Sequence, residues 1–352
     1  MTSPVEVAGL RPRVDKALGG YLAIQRDRLT AIDPALADFA EALEDFVLGG
    51  GKRLRPAFAY WGYRGAGGAD ADQVVAAVAA LELVQASALI HDDLMDRSDT
   101  RRGEPSVHRR FERRHRQQAW RGAAAGFGHS AAVLLGDLAM VWSDDLLHTA
   151  GLTAAELTRA RPVFDEMRTE VTVGQYLDVL TQVTADTSLE RAGKVARFKS
   201  AKYTVERPLL MGAAIAGAPP ELQRAYSAFG LPLGEAFQLR DDILGVFGDP
   251  SQTGKPAGDD LREGKRTYLI AAAFGVLGEA ERAELDAGLG DPEPDVERLR
   301  SLIRDSGALT ATERRIDELM SASLAALEAA PIDEDARTVL HALADAATRR
   351  TV

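Results

Sequence analysis

An all-α fold in one domain is what this sequence predicts, and three observations predict it. Apolar residues recur at three- and four-residue spacing through most of the chain, the period of a helix with one buried face. No segment alternates apolar and polar residues convincingly enough to read as a strand. Neither an internal repeat nor a linker long enough to divide the 352 residues is visible.

The elements follow in order. Residues 1–12 are expected to be disordered, which leaves 13–352 as the domain. Helices are expected over 73–93, 129–149, 153–180, 205–217, 221–247 and 308–329, all rich in Ala and Leu. The first two are apolar nearly all round and so should be central. Thr153, with Glu156 at the capping-box position, opens the third. Breaks fall at "GAGGAD" (65–70), "GAPPE" (217–221), "GDPSQTGKPAGDD" (248–260) and "LGDPEPD" (289–295). Segment 109–128, "RRFERRHRQQAWRGAAAGFG", is polar and then small-residue-rich, and reads as either a mobile lid or a solvated connection. A dozen or so helices are expected in all.

Composition narrows the function. A hydrophobic content of 46% is ample for a core, and 27% charged residues suits a chain in water. The net charge of -11 argues against general affinity for nucleic acid. Yet nine arginines fall between Arg97 and Arg121 against only Asp99, Glu104 and Glu112, the mark of a local anion site. Cysteine is absent, which excludes disulfides, thiolate zinc sites and a cysteine nucleophile, and fits a reducing compartment. "MTSPVEVAGLRPRVDKAL" has no apolar signal region, and charge interrupts the longest apolar stretches before the ~18–20 residues of a membrane span. A cytoplasmic protein without a transmembrane segment is expected.

Three constellations carry chemistry. In "ALIHDDLMDRSDTRRGEP" (88–105), Asp92 and Asp96 stand one helical turn apart on one face, with Asp93 rotated by about 100°. Such carboxylates stay ionised together most easily around a divalent cation, and Mg²⁺ prefers oxygen ligands. A lone DDxxD is also found at solvated helix ends, but the preceding run "ALELVQASALI" is almost wholly apolar and points the acids into a cavity. In "FQLRDDILGVFGD" (237–249), Asp241 and Asp242 again end an apolar helix, with Asp249 two turns further on before Pro250. Two such pairs, each followed by basic residues, can hold several Mg²⁺ ions around one polyanion. "GGGKRLRP" (49–56) lacks the spacing of a P-loop. Its glycines and Lys52, Arg53 and Arg55 nevertheless make either a diphosphate site or a basic structural turn. Arg101 and Arg102 suit a diphosphate, because arginine holds phosphate oxygens bidentately. Lys199 in "RFKSAKYT", and Lys255 and Lys265 in "TGKPAGDDLREGKRT", are either phosphate ligands or surface lysines. His91 reads as a hydrogen-bonding helix residue rather than a ligand.

Taken in order and spacing, "GGGKRLRP", "HDDLMDRSDTRRGEPSVH", "RFKSAKYT" and "FQLRDDILGVFGDPSQTGKPAGDDLREGK" resemble the motifs of trans-isoprenyl diphosphate synthases, the geranylgeranyl type among them, from about residue 20 onward. The resemblance implies antiparallel helices around a deep central cavity, the class I isoprenoid synthase fold, normally as a homodimer. It implies head-to-tail condensation of isopentenyl diphosphate with an allylic diphosphate (dimethylallyl, geranyl or farnesyl), with three Mg²⁺ ions once substrate is bound. Asp92, Asp93 and Asp96 then correspond to the first metal motif, and Asp241 and Asp242 to the second. Arg101, Lys199 and Lys255 would grip the allylic diphosphate, with Lys265 beside them. Gly51, Lys52, Arg55, Gln85 and Arg102 would hold isopentenyl diphosphate. Ser200, Tyr203 and Gln238 would lie near the reacting carbons.

One departure stands out: the last position of the usual second DDxxD is Gly245, for which Asp249 is a possible substitute acting through water. The resemblance also implies that product length is set on the helix before Asp92, where bulky aromatics in the family stop growth near C15; here Ser87 and Ala88 are small. Val84, Leu81 and, from helix 129–149, Trp142 are the candidate floor. This favours geranylgeranyl diphosphate (C20), with C25 or longer products, or farnesyl diphosphate, as alternatives. A terpene cyclase and a non-catalytic partner subunit are the readings outside the class. The isopentenyl site argues against the first, and the retained acids against the second.

Overall fold

A computed structural model describes residues 9–249, 258–291 and 293–348. In chain order the helices are α1 (Leu10–Ile32), α2 (Ala37–Leu48), α3 (Leu54–Gly65), α4 (Asp72–Met95), α5 (Val107–Gln117), α6 (Ala124–Thr149), α7 (Ala154–Val183) and α8 (Leu189–Val195). A π-helix over Ala196–Glu206 leads into α9 (Arg207–Ala216) and α10 (Pro220–Phe247). The remainder are α11 (Asp259–Glu263), α12 (Tyr268–Val276), α13 (Glu279–Gly288), α14 (Val296–Asp305), α15 (Ala308–Ala329) and α16 (Glu334–Thr348). Between α4 and α5 lies a two-residue-per-strand hairpin, β1 (Thr100–Arg101) against β2 (Glu104–Pro105). The fold is all-α, as its periodicity requires.

The chain forms two compact units. In the first, the chain up to Phe164 is joined by Pro208–Pro219 and Ile332–Leu343; the second holds Asp165–Arg207, Pro220–Pro331 and the segment from Ala344. The first unit is built on α4, which packs along α6. Val74, Val78, Leu81 and Val84 of α4 are wholly buried, and so are Ala132, Leu135 and Ala139 of α6. In α1, Leu10, Val14, Leu18 and Leu22 form a buried stripe at four-residue spacing. The helix thus begins at Leu10, inside the 1–12 stretch expected to be disordered. α3 and α9 touch backbone to backbone. A Cβ on Gly62 would stand 2.6 Å from Leu209 O, and one on Gly212 would stand 1.9 Å from Ala59 O. In the second unit, Ile243 and Val246 of α10 share a core with Leu261, Leu269, Leu285, Leu299, Ile303 and Ile316.

Three segments differ from expectation. Segment 109–128 is neither lid nor loose connection through Gln117: α5 buries His108, Phe111, Glu112 and His115 and turns its arginines outward. Segment 196–206 adopts the wider i→i+5 winding that often marks a functional site. The charges in α4 and α6 do not shorten their apolar runs as expected, since both are long and apolar enough to cross a membrane by length and composition. Most of that window in α4 is buried within the protein, as in a core helix.

Candidate active site

The first acidic motif ends α4. Asp93 is fully buried, Asp92 and Asp96 are half-buried, and Asp96 is the C-cap residue. Beyond it the hairpin turns through Arg102 and Gly103, with φ of 55° and 80°, the pair of positive values a two-residue type I′ turn demands. That turn sends Arg101 back onto α4. Its Nε donates to Asp93 Oδ1 at 2.9 Å, and its Nη2 donates to Asp92 Oδ2 at 3.4 Å and to Asp93 Oδ1. The burial of a carboxylate at 93 is therefore compensated by a charge-assisted hydrogen bond. His91 contacts Val133 O of α6 through Nε2 at 3.1 Å, a helix-packing bond as its sequence context suggested. Gly136 makes room for the ring, since a Cβ there would fall 2.2 Å from that nitrogen.

The Gly-rich turn meets the same hairpin. Gly50 and Gly51 have φ of 128° and 121°, which a side chain rarely adopts. Arg102 Nη1 donates to Gly50 O at 3.0 Å, and its guanidinium lies over the Phe46 ring. A Cβ on Gly51 would stand 3.6 Å from Arg102 Nη2. Gly51 and Arg102, both expected to hold isopentenyl diphosphate, are thus adjacent. Lys52 is exposed and Arg55 half-buried. Gln85 lies on α4 one turn beyond Glu82.

Arg53 has a different job from its basic neighbours. It is buried and donates to Asp15 Oδ1 at 2.8 Å, Glu82 Oε2 at 2.6 Å and Val47 O at 2.8 Å. Burial opposes its charge, but Glu82 and Asp15 outweigh that and hold it more firmly protonated than a free arginine. The guanidinium clamps the turn to α1 and α4.

One turn before Asp92, Ser87 is buried and Ala88 half-buried; Val84 and Leu81, further back, are wholly buried. Trp142 packs edge-on against Tyr21 of α1, with ring centroids 6.3 Å apart, and the Tyr21 hydroxyl donates to Asp145. The indole is therefore anchored in α1–α6 packing.

In the second unit, Lys199, Ser200 and Tyr203 all fall on the π-helix. Lys199 Nζ donates to Asp178 Oδ2 at 2.6 Å. On α10, Asp242 is buried, accepts from Gln238 Nε2 at 2.7 Å and from the backbone N–H of Tyr268 at 3.1 Å. Burial, with Asp260 and Asp241 as like charges nearby, pushes its carboxyl up to about 8. Gln238, expected beside the reacting carbons, thus bonds an acid of the second motif. Lys265 Nζ lies 2.6 Å from Glu263 and 3.9 Å from Asp260. Lys255 lies outside the described residues. Asp249 does not share the face of Asp241, because α10 ends at Phe247 and Asp249 is exposed beyond it.

Sequence reasoning named Arg53 without its clamping role, and missed the partner Asp178 and Asp260, which packs against Gly245. Only Asp260 left a trace, as the second acid of "GDDLREGK". Among the described residues, no three acidic or histidine side chains are already gathered closely enough to hold an ion. The donor set still fits a hard divalent cation. It offers carboxylate oxygens alone, and a cation would relieve the burial and like-charge repulsion at Asp242.

In the first unit an arginine hairpin joins the carboxylates that end α4 to a Gly-rich basic turn, and in the second unit α10 carries another carboxylate pair: each is a set of side chains suited to an all-α enzyme that handles diphosphates. The polyprenyl synthetase family model matches residues 37–306, and the chain belongs to that family as a prenyltransferase. A geranylgeranyl pyrophosphate synthase from Corynebacterium glutamicum, solved with isoprenyl diphosphate and magnesium, matches with a TM-score of 0.94 at 43% identity, covering 97% of this chain and 99% of that one. The geranylfarnesyl diphosphate synthase of Aeropyrum pernix is 32% identical over 94% of this chain and 97% of its own. The geranylgeranyl diphosphate synthase of Mycobacterium tuberculosis is 34% identical over 79% of this chain and 75% of its own.

Proposed function

We propose that the chain makes geranylgeranyl diphosphate by adding isopentenyl diphosphate to allylic diphosphates in the cytoplasm, as a homodimer. The observation that carries the assignment of sites is the hairpin. Arg101 bridges Asp92 and Asp93 while Arg102, the next residue, bonds Gly50. One rigid turn thus couples the acids that would hold Mg²⁺ to the turn that would hold the second diphosphate.

Asp92, Asp93, Asp96, Asp241 and Asp242 would bind three Mg²⁺ ions, which supply charge neutralisation for the departing diphosphate. Arg101, Lys199, Lys255 and Lys265 hold the allylic diphosphate, and Lys199 exchanges Asp178 for a phosphate oxygen. Gly51, Lys52, Arg55, Gln85 and Arg102 hold isopentenyl diphosphate with its double bond toward the allylic C1. The C1–O bond breaks, the double bond attacks the allylic cation, and the proton lost goes to the released diphosphate. Ser200, Tyr203 and Gln238 border the cation, with the Gln238 amide also orienting Asp242. Catalysis is electrostatic, with no protein nucleophile.

The C20 product rests on Ser87 and Ala88. Five residues of helix span about 7.5 Å, so these small side chains leave room for more than one further isoprene unit before Val84 and Leu81. The similarity to a geranylfarnesyl synthase keeps C25 as the second reading. The test is product mass from the purified chain with labelled isopentenyl diphosphate, Mg²⁺ and C5, C10 or C15 starters. A discrete C20 product is expected, and Ala88→Phe should shift it toward C15. No elongation from any starter would overturn the assignment.

A further inference from the structure

We propose that the outer face of α5 and the turn after it form a docking surface for an anionic lipid bilayer, with Trp120 entering the headgroup layer. From Arg113 to Gly136 the chain carries four arginines and no acid, in a protein whose net charge is -11. α5 buries His108, Phe111, Glu112 and His115, which leaves Arg113 and Arg116 on its opposite, exposed side. Three of its arginines are matched by acids: Arg109 by Asp99 and Glu112, Arg110 by Asp45, and Arg114 by Asp38. Arg116 shares Glu112 with Arg109, and its side chain is still 70% exposed. Among the described residues, Arg113 and Arg121 make no ion pair. Positive charge therefore remains over on the outer face of α5 and at the turn.

The turn supplies the aromatic part. Ala119 and Gly122 have φ of 48° and 92°. The Trp120 N–H donates to His115 O at 3.2 Å, and His115 Nε2 lies 3.0 Å from Arg121 O. The chain is thus tied back onto α5, and the indole stands against Phe127, His115 and the Arg114 guanidinium. Trp120 is nevertheless 44% exposed, whereas Trp61 and Trp142 are 8% and 7% exposed. An indole fixed at its base, open at its tip and ringed by guanidinium groups suits the membrane–water interface, where such rings concentrate. Arginines there attract anionic headgroups over a Debye length of about 8–10 Å, and acids further away are screened. Nucleic acid would match the charge too, but one exposed ring and two unmatched arginines fall short of the many phosphate contacts its binding draws on.

The test mixes the full chain with vesicles of phosphatidylcholine and phosphatidylglycerol, set against vesicles of phosphatidylcholine alone, and checks each variant for folding by thermal unfolding. Wild type should co-sediment with the anionic vesicles only, and added salt should release it. Because the other two tryptophans are buried, a shift of emission to shorter wavelength on binding reports Trp120. Arg113→Gln combined with Arg121→Gln should weaken binding by about 10–30-fold, since each arginine near an anionic surface is worth about a factor of five. Trp120→Ala should also weaken binding and remove the emission shift. Should Trp120→Ala fail to fold, the arginine pair is read alone. Equal binding to both kinds of vesicle, bound protein with unshifted emission, or a folded arginine variant that binds as wild type does would each overturn the proposal. Wild type that ignores both kinds of vesicle overturns it as well, and a lower sedimenting mass for Trp120→Ala would then assign the surface to a second copy of the chain.

Discussion

Arg53 and Lys52 are neighbours in the Gly-rich turn, yet one is buried with three acceptors and the other is exposed. Both charges of the Arg53–Glu82 pair are almost wholly out of water, their side chains each 3% exposed. Removing one partner of such a pair strands the other, at a cost of about 3–5 kcal/mol. Arg53→Ala should therefore lower the urea midpoint sharply. Lys52→Ala should leave stability within about 0.5 kcal/mol, as surface changes do, while raising the KM for isopentenyl diphosphate. Equal midpoints for the two variants would remove the clamp from the account. Arg53 also has a φ of 51°, an uncommon conformation for a residue with a Cβ, and its three hydrogen bonds are what hold it there.

At the scale of elements, the helices were legible because their signals are local. The expected 308–329 helix is α15 residue for residue, 221–247 became Pro220–Phe247, and the capping box at Thr153 and Glu156 forms with both reciprocal bonds. The π-helix was not legible. "ARFKSAKYTVE" carries no break and no distinctive period, and what accommodates the wide winding lies far away in sequence. A Cβ on Gly174 of α7 would stand 2.4 Å from Lys199 N, and one on Gly234 of α10 would stand 2.5 Å from Ala201 O. Glu170 adds the electrostatic part, accepting from Arg207 Nε at 2.6 Å and Nη2 at 2.8 Å, and from Lys202. Burial would raise its carboxyl, but these two cations outweigh burial and hold it below its ordinary 4.5. A depressed folded value means that the stabilisation is whole above about pH 4.5 and fades as pH falls through the folded value. Glu170→Gln should thus be clearly less stable than wild type at pH 6, with the gap in urea midpoints closing below pH 4.5. A gap that does not change with pH would assign the loss to packing alone.

For the whole molecule, the sequence named candidate residues for the site but not their pairings. Asp92, Asp93 and Arg101 could be read together because a few residues and one turn separate them; Gly245 and Asp260 could not, because their approach depends on tertiary packing around α11, where Leu261 is buried and Gly258 and Gly290 make close contacts. The same limit applies to α6. Its apolar sequence on all sides suggested a central helix, but only 33% of its most apolar window is buried. Leu134 and Val141 stand seven residues apart on one stripe, 59% and 62% exposed, with Val133 beside them at 43%. A seven-residue repeat of apolar side chains is the pattern by which one helix lies along another, and a twofold axis would present this stripe to its own copy. Leu134→Glu combined with Val141→Glu costs little in a lone chain, where both positions face solvent, but would bury like charges across a dimer. Sedimentation velocity should give wild type at twice the chain mass and the double variant at the chain mass, with helical content unchanged. Wild type at the chain mass, or an undiminished dimer in the double variant, would take the interface away from α6.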